Sequence, residues 1–262
     1  MSQRSSRPKR KHEHALQDQP HAALPAAPTP GRRPSGGWWT WAALLVAAAL
    51  RLWNVRHGLP DFLDEAIPFR RALMMWGGPD GGIDWNPHFY QYPSLTIYLH
   101  LLLQQLTLHA GTWLGFYHGA PDYQVAFRLD PTPMALIARG AQVAADLVTV
   151  WMAGRVAERL RRCTGAAVAL LVACSPVLIE ASRAIYTDTV MTALALAALE
   201  RMLAWREDGR ARTLATSAVL IGLATGAKYP AVVLLLPLAW VLWDRGRWSR
   251  SEERRVGKEC RL

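Results

Sequence analysis

Cysteine is scarce in this chain. There are 3 cysteines in 262 residues: Cys163 lies in a basic turn, Cys174 inside an apolar block and Cys260 near the end of the chain. Cysteines scattered in this way imply neither a disulfide framework nor a thiolate metal site.

Acidic residues are also few, 20 against 30 Lys and Arg, which gives a net charge of +10. The basic residues lie in the N-terminal tail and beside apolar segments, where they anchor the cytoplasmic ends of membrane helices. The excess of positive charge is therefore not a sign of nucleic-acid binding.

Apolar residues, in contrast, are abundant. Half of the chain is hydrophobic (51%), and 12 tryptophans accompany apolar blocks that short basic stretches separate. This pattern predicts an all-α, polytopic transmembrane protein. The blocks are Trp38–Trp53, Pro93–Tyr117, Met134–Val156, Ala166–Ala181, Thr189–Trp205, Leu214–Ala227 and Ala231–Trp243. Several are shorter than the roughly 20 residues that a membrane span needs.

The N-terminal residues 1–35 have no periodic apolar pattern and are rich in Arg, Pro, His and Ser. We expect a disordered, basic cytoplasmic tail, because such a composition cannot bury enough surface to fold. A cleaved signal peptide does not fit, since Trp38–Trp53 runs on into Asn54 without a small-residue cleavage site. Binding of anionic lipid head groups is the functional alternative for Arg4–Lys11.

The basic loops indicate how many blocks cross the membrane. Arg155–Arg162, Arg206–Arg212 and Asp244–Arg250 should all be cytoplasmic by the positive-inside rule. If all seven blocks crossed, two of these loops would face outward. Pro93–Tyr117 contains two histidines and two glutamines, and treating it as an interfacial or re-entrant helix puts every basic loop inside. Six spans then remain.

This topology places three polar segments outside: the loop Asn54–Pro133 and the turns Arg183–Asp188 and Lys228–Pro230. They bring the acids Asp64–Glu65 and Asp188 and the cation Lys228 to one face. Ionisable residues at membrane level are costly and usually functional. Their convergence predicts a membrane enzyme with an external active site.

Each of these groups also has a structural interpretation. Asp64–Glu65 could cap, and supply first-turn acids to, a helix Ala66–Trp76. Asp188 could cap the helix that begins at Thr189. Lys228 could extend along apolar surface to reach the membrane interface.

Two other polar groups have structural interpretations that we prefer. His88, Tyr90 and Tyr92 fit an aromatic belt at the membrane interface better than a catalytic set. Asp146 lies inside the second predicted span, away from the outer face, and is expected to pack against Gln142 or Arg139.

Four short motifs resemble the GT-C superfamily of polyprenyl-phosphate-dependent glycosyltransferases, in particular its protein O-mannosyltransferase and aminoarabinose-transferase group. Asp64-Glu65 is similar to the family's Asp-Glu motif. His88–Leu95 resembles its His/Tyr-Pro-Pro-Leu segment, with Ser94 in place of the second Pro. Ser182–Asp188 matches its Ser-Arg, four residues, Asp pattern, and Gly222–Tyr229 resembles its Gly-Leu-Ala...Lys-Tyr signature. The resemblance extends over residues 42–243.

The resemblance implies roles for these residues. Asp64, with Glu65 beside it, would be the catalytic carboxylate that accepts the proton of the incoming hydroxyl. Lys228 or Arg183 would hold the departing phosphate. Asp188 would be the second acid, positioning one of these cations or a divalent metal, although the sequence requires no cofactor. The donor-binding residues would also include Tyr229, Tyr90 and Tyr92.

The implied reaction is sugar transfer from a polyprenyl-phosphate donor to a glycan, lipid or protein acceptor on the outer face of the membrane. One displacement step inverts the anomeric centre. The alternative from another class is a non-catalytic transporter or lipid-handling scaffold, in which the same acids and Lys228 bind or gate an ion.

The C-terminal residues 250–262 depart from this pattern. Arg250–Cys260 reads as the in-frame translation of a common short-read sequencing adapter. We expect residues 36–249 to be the N-terminal part of a GT-C membrane domain, a fragment inactive by itself, and residues 250–262 to be an artefact.

Overall fold

The computed structural model describes residues 38–59, 67–77 and 82–244. These residues form ten helices and one isolated antiparallel bridge, between Trp76 and Ile83. The helices are α1 Trp38–Leu52, α2 Ile67–Met74, α3 Leu95–Trp113, α4 Ala120–Leu129, α5 Thr132–Leu160, α6 Gly165–Ala173, α7 Pro176–Ser182, α8 Thr187–Asp208, α9 Ala211–Ala227 and α10 Tyr229–Asp244. The prediction of an all-α fold is confirmed.

Several predictions concern residues outside the described ranges. They are the disordered tail 1–35, the terminal segment 250–262 and the pair Asp64–Glu65. The helix predicted over Ala66–Trp76 is present as α2, which ends two residues earlier, at Met74.

The longest helix, α5, packs against α1, α6 and α8. α8 and α9 form an antiparallel hairpin that turns at Gly209, which has a φ of +64°. Glycine adopts this left-handed conformation at little cost. The hairpin returns the end of α9 to the beginning of α8, and this places the candidate site.

α6 and α7 meet at an angle of 62°. Pro176 begins α7 and has no backbone N–H, so the carbonyl of Val172 accepts instead from the Ser175 N–H at 3.2 Å. The guanidinium of Arg51 in α1 also binds at this break: its Nη1 donates to the carbonyl of Ala173 at 2.8 Å. A buried cation thus satisfies the open end of α6.

The segment predicted to be external folds around its own apolar core. Phe69 of α2, Ile97 of α3 and Tyr123 of α4 are almost completely buried in one cluster. Trp76 stacks on Tyr123 with ring centroids 5.0 Å apart. Ile185 belongs to the same cluster, so the turn before α8 is anchored to α2, α3 and α4.

Among the described helices, α5 alone is long and apolar enough to cross a membrane in one piece, and the bent pair α6–α7 passes the same test jointly. The apolar helices α1, α9 and α10 are shorter. Large apolar side chains such as Trp41, Leu45 and Leu236 are exposed on the surface, as expected where helices face lipid. The six-span topology remains a prediction.

Candidate functional site

Asp188 and Lys228 form an ion pair at the open end of the α8–α9 hairpin. Asp188 lies in the first turn of α8, and Lys228 follows the last residue of α9 with an extended backbone. The Lys228 Nζ donates to Asp188 Oδ1 at 2.6 Å and to Oδ2 at 2.7 Å. The hairpin therefore brings together two of the site residues that were predicted from the sequence.

This ion pair is only partly covered. The Asp188 side chain is 50% exposed and that of Lys228 is 28% exposed. Exposed ion pairs contribute between nothing and about 1 kcal/mol to stability. Stabilisation of the fold is thus a weak reason for placing a lysine and an aspartate here, and both remain accessible to a ligand.

The His88–Leu95 segment approaches the same place. A Cβ atom added to Gly226 in α9 would lie 3.5 Å from the Cβ of Leu95, the first residue of α3. Gly226 is two residues before Lys228. Two of the four motifs are therefore neighbours in space, although more than one hundred residues separate them in the chain.

The polar side chains of the His88–Leu95 segment bond to residues just before it. His88 Nε2 lies 2.9 Å from Asp84 Oδ2, and the Tyr90 hydroxyl donates to Asn86 Oδ1 at 3.3 Å. The backbone N–H of Asn86 and the His88 side chain hold the pKa of Asp84 below its usual value. Tyr90 is 74% exposed, whereas Tyr92 packs against Phe89 in the apolar core.

The other two donor-site candidates are close in sequence to the ion pair: Tyr229 follows Lys228, and Arg183 precedes Asp188 by five residues. Tyr229 begins α10 and is 55% exposed. The Arg183 Nη2 donates to the carbonyl of Leu50 at 2.6 Å. Arg183 therefore ties the end of α7 to the end of α1, and its hydrogen bond is to the backbone of α1 rather than to Asp188.

The segments that flank Asp64–Glu65 are held by α5. Arg139 Nη1 donates to the carbonyls of Val55 and His57 at 2.6 and 2.7 Å, and Leu59 packs near Ala135. On the other side, α2 begins at Ile67. The described residues nearest to this pair therefore pack against the bundle: Leu59 lies against α5, and Ile67 lies against the α2–α4 core.

The prediction that Asp146 is paired with Gln142 or Arg139 was wrong. Asp146 is buried and forms an ion pair with the equally buried Arg51, not with Gln142 or Arg139. Arg51 lies in the last turn of α1, next to Leu50, whose carbonyl accepts the hydrogen bond from Arg183. Asp146 is therefore level with the end of α1. Pairing of two charges inside apolar segments lowers the high cost of burying either one. The signal in the sequence was Arg51, a basic residue inside the first apolar block.

A second ion cluster, absent from the sequence prediction, lies near the other end of α8. Glu200 is almost completely buried and accepts from Arg155 Nη2 at 2.8 Å and Arg159 Nε at 2.9 Å, and it also pairs with Arg201. Arg206 donates to Asp244 at 3.0 Å. Arg159 also pairs with Glu207, so the described residues of the basic segments Arg155–Arg162 and Arg206–Arg212 meet, together with Asp244, at one end of the bundle.

The two polar ends of the bundle are far apart. Asp188 and Glu207 are separated by 19 residues of α8, about 28 Å at 1.5 Å per residue. The hydrocarbon core of a bilayer is about 30 Å thick. The ion pair of Asp188 and the Glu207 end of the basic cluster are therefore separated by about the thickness of this core, whereas Glu200, 12 residues after Asp188 in α8, is only about 18 Å away.

No group of three or more metal-ligating side chains occurs among the described residues. Asp188, the acid that the sequence analysis considered as a metal ligand, accepts hydrogen bonds from Lys228 through both carboxylate oxygens. That carboxylate neutralises a cationic side chain in this structure.

One comparison with known proteins gave a match. The family model of dolichyl-phosphate-mannose-protein mannosyltransferases matches residues 135–255, a little under half of the chain. The match supports a membrane glycosyltransferase of the GT-C type. It includes the Ser182–Asp188 and Gly222–Tyr229 motifs and hence the ion pair. No curated protein and no solved structure matches the chain.

Proposed function

We propose that this protein is an integral-membrane glycosyltransferase that moves a sugar from a polyprenyl-phosphate donor to an acceptor on the outer face of the membrane. The observation that carries the proposal is the half-exposed Asp188–Lys228 pair, which lies within the family match and about 28 Å from the basic end of the bundle.

Lys228 is the proposed phosphate ligand. An ammonium group beside a leaving phosphate stabilises the negative charge that develops as the glycosidic bond breaks. Asp188 holds this ammonium at the mouth of the hairpin before the donor arrives. The phosphate then competes with the carboxylate for the Lys228 N–H donors, and the partial exposure of the pair gives it access.

The chemistry is a single displacement. The acceptor oxygen attacks the anomeric carbon, its proton passes to the Asp64 carboxylate, and the bond between that carbon and the phosphate oxygen breaks. The polyprenyl phosphate leaves with the bonding electrons. In this proposal Glu65 lies beside Asp64 as a second carboxylate, the exposed Tyr90 and Tyr229 line the donor groove with Arg183 nearby, and Tyr92, which packs against Phe89, forms the base of that groove.

The transporter alternative has one observation in its favour. A bent helix pair next to a buried ion pair is common in transporters, where broken helices bind ions. Here Arg51 already fills the break between α6 and α7 and is neutralised by Asp146. The open end of α6 is thus satisfied by the protein itself, which favours the enzyme.

The test compares two ion pairs of similar kind. We expect Lys228→Ala to lower the affinity for a polyprenyl-phosphate sugar about tenfold or more, because a hydrogen bond to a charged group is worth roughly 1.5–3 kcal/mol. Arg206→Ala breaks the exposed pair with Asp244 at the opposite end and serves as the control. Equal donor affinities for the two variants would refute the proposal.

A further inference from the structure

A cavity of about 260 Å³ lies between α3, α5 and α8. Its wall is formed largely by leucine and alanine side chains. Leu99, Leu102 and Leu106 line it and are between 43% and 57% exposed. These leucines form a rim on the outer surface of the bundle, so an apolar molecule can enter from the side.

Three buried polar side chains also line the cavity: Thr96, His100 and Gln142 are each no more than 5% exposed. Thr96 Oγ1, His100 Nδ1 and Gln142 Oε1 have no hydrogen-bond partner among the residues that the structure describes. A buried polar atom without a partner costs about 1–3 kcal/mol. Three such atoms around one cavity indicate that a hydrogen-bonding group belongs there.

The group that fits is uncharged. None of the described residues that line the cavity is acidic or basic apart from His100, and burial lowers the pKa of His100 to about 4. A phosphate would be buried here without a cation, at a high cost. A hydroxyl can donate to Gln142 Oε1 and also accept a hydrogen bond, so it matches these atoms.

The cavity adjoins the candidate site. Val190 lines it from the first turn of α8, two residues after Asp188. Thr96 follows Leu95, the residue that approaches Gly226 near Lys228. Asp188 and Lys228 do not line the cavity, and residues two apart in a helix face different directions, so a molecule held there would lie near the ion pair without replacing it.

We propose that this cavity binds the hydroxyl end of an uncharged lipid-like alcohol. The hydrocarbon chain of the alcohol would extend out of the cavity between Leu99, Leu102 and Leu106. Its use as the acceptor site rests on the proposed function, but binding of the alcohol does not. The same chemistry is offered by an acceptor substrate and by a neutral bilayer lipid such as a diacylglycerol.

The test is photoaffinity labelling of the protein in phosphatidylcholine nanodiscs, with a long-chain alcohol that carries a diazirine. We expect saturable labelling of α3 and α5, reduced about tenfold or more in Thr96→Val/Gln142→Leu. The control is Thr107→Val, which makes the same change in the same helix, where the hydroxyl already bonds to the Leu103 carbonyl at 2.8 Å.

Two outcomes would overturn the proposal: unchanged labelling of the double variant with an unchanged melting temperature, or equally strong labelling of α3 and α5 by the phosphate monoester of the same alcohol. Competition by diacylglycerol identifies a bilayer lipid as the ligand, and donor-dependent glycosylation of the probe identifies an acceptor. Labelling needs no sugar donor, so it can succeed where the proposed transfer fails, and the two failures are distinguishable.

Discussion

Lys228 donates hydrogen bonds to both carboxylate oxygens of Asp188, a residue 40 positions earlier in the chain. The antiparallel α8–α9 hairpin creates this contact, because α9 ends where α8 begins. The pair lies at one end of the bundle, and the basic segments meet at the other.

Asp188→Asn should separate function from stability. The pair is half-exposed, so its loss should change the free energy of unfolding by less than about 1 kcal/mol. Sugar transfer should fall at least tenfold, because Lys228 loses the charge that positions it. Chemical unfolding and a transfer assay measure the two effects. Asp244→Asn, which alters the pair with Arg206, should leave transfer unchanged; equal losses in both variants would count against a role for Asp188.

Arg51 and Asp146 should be strongly coupled. Arg51→Met leaves a buried carboxylate without its cation and should cost about 3–5 kcal/mol. Arg51→Met/Asp146→Leu removes both charges and should recover part of that loss. Unfolding of the purified protein in detergent tests this with a double-mutant cycle. Arg206→Met provides the exposed comparison, and additive effects of the two buried substitutions would contradict the coupling.

His100 should make the protein sensitive to acid. Burial lowers its pKa to about 4, whereas the unfolded chain takes up a proton near pH 6.5. Protonation therefore favours the unfolded state, and stability should decrease as the pH falls from about 6.5 towards 4. The loss between pH 7.5 and 4.5 is about 2–3 kcal/mol. Melting temperatures measured at the two pH values should fall less for His100→Gln than for the unmodified protein. Equal decreases would show that another group takes up the proton that destabilises the fold.

The topology can be tested with single cysteines. In a variant without the native cysteines, Ser94→Cys and Gly119→Cys should both react with an impermeant thiol reagent from outside, because α3 is predicted not to cross. Cys163, which is exposed in the turn after α5, should react only after permeabilisation when it is restored alone. Labelling of Ser94→Cys and Gly119→Cys from opposite sides would contradict the six-span model.

The sequence predicted the all-α fold class, because apolar blocks and basic loops are local signals. It also placed Asp188 and Lys228 on one face, and the structure shows that the two side chains are hydrogen-bonded there. The partner of Asp146 was not predictable in this way. Arg51 in α1 lies 95 positions before Asp146 in α5, at a break that depends on Pro176, and no spacing in the chain encodes such a distant contact.

The cavity was missed for a similar reason. Thr96, His100 and Gln142 come from two helices, and their unpaired atoms are evident only when the packing is known. The sequence indicated only that the histidines and glutamines of Pro93–Tyr117 disfavour a span and that Gln142 packs near Asp146; it did not indicate a cavity. The role of Asp64 remains a prediction, because that residue lies outside the described ranges.

In the proposed glycosyl transfer a carboxylate and a cation have separate roles: Asp64 accepts the proton of the acceptor, and Lys228 binds the phosphate of the donor. The most direct measurement is transfer from a radiolabelled polyprenyl-phosphate sugar in proteoliposomes, together with donor affinity, for Asp64→Asn and Lys228→Ala. Asp64→Asn should reduce transfer by about 10²–10⁴ with donor binding largely retained, the usual effect of losing a general base. Lys228→Ala should weaken donor binding, since the phosphate is charged before the reaction begins. Near-normal turnover of Asp64→Asn would contradict the account.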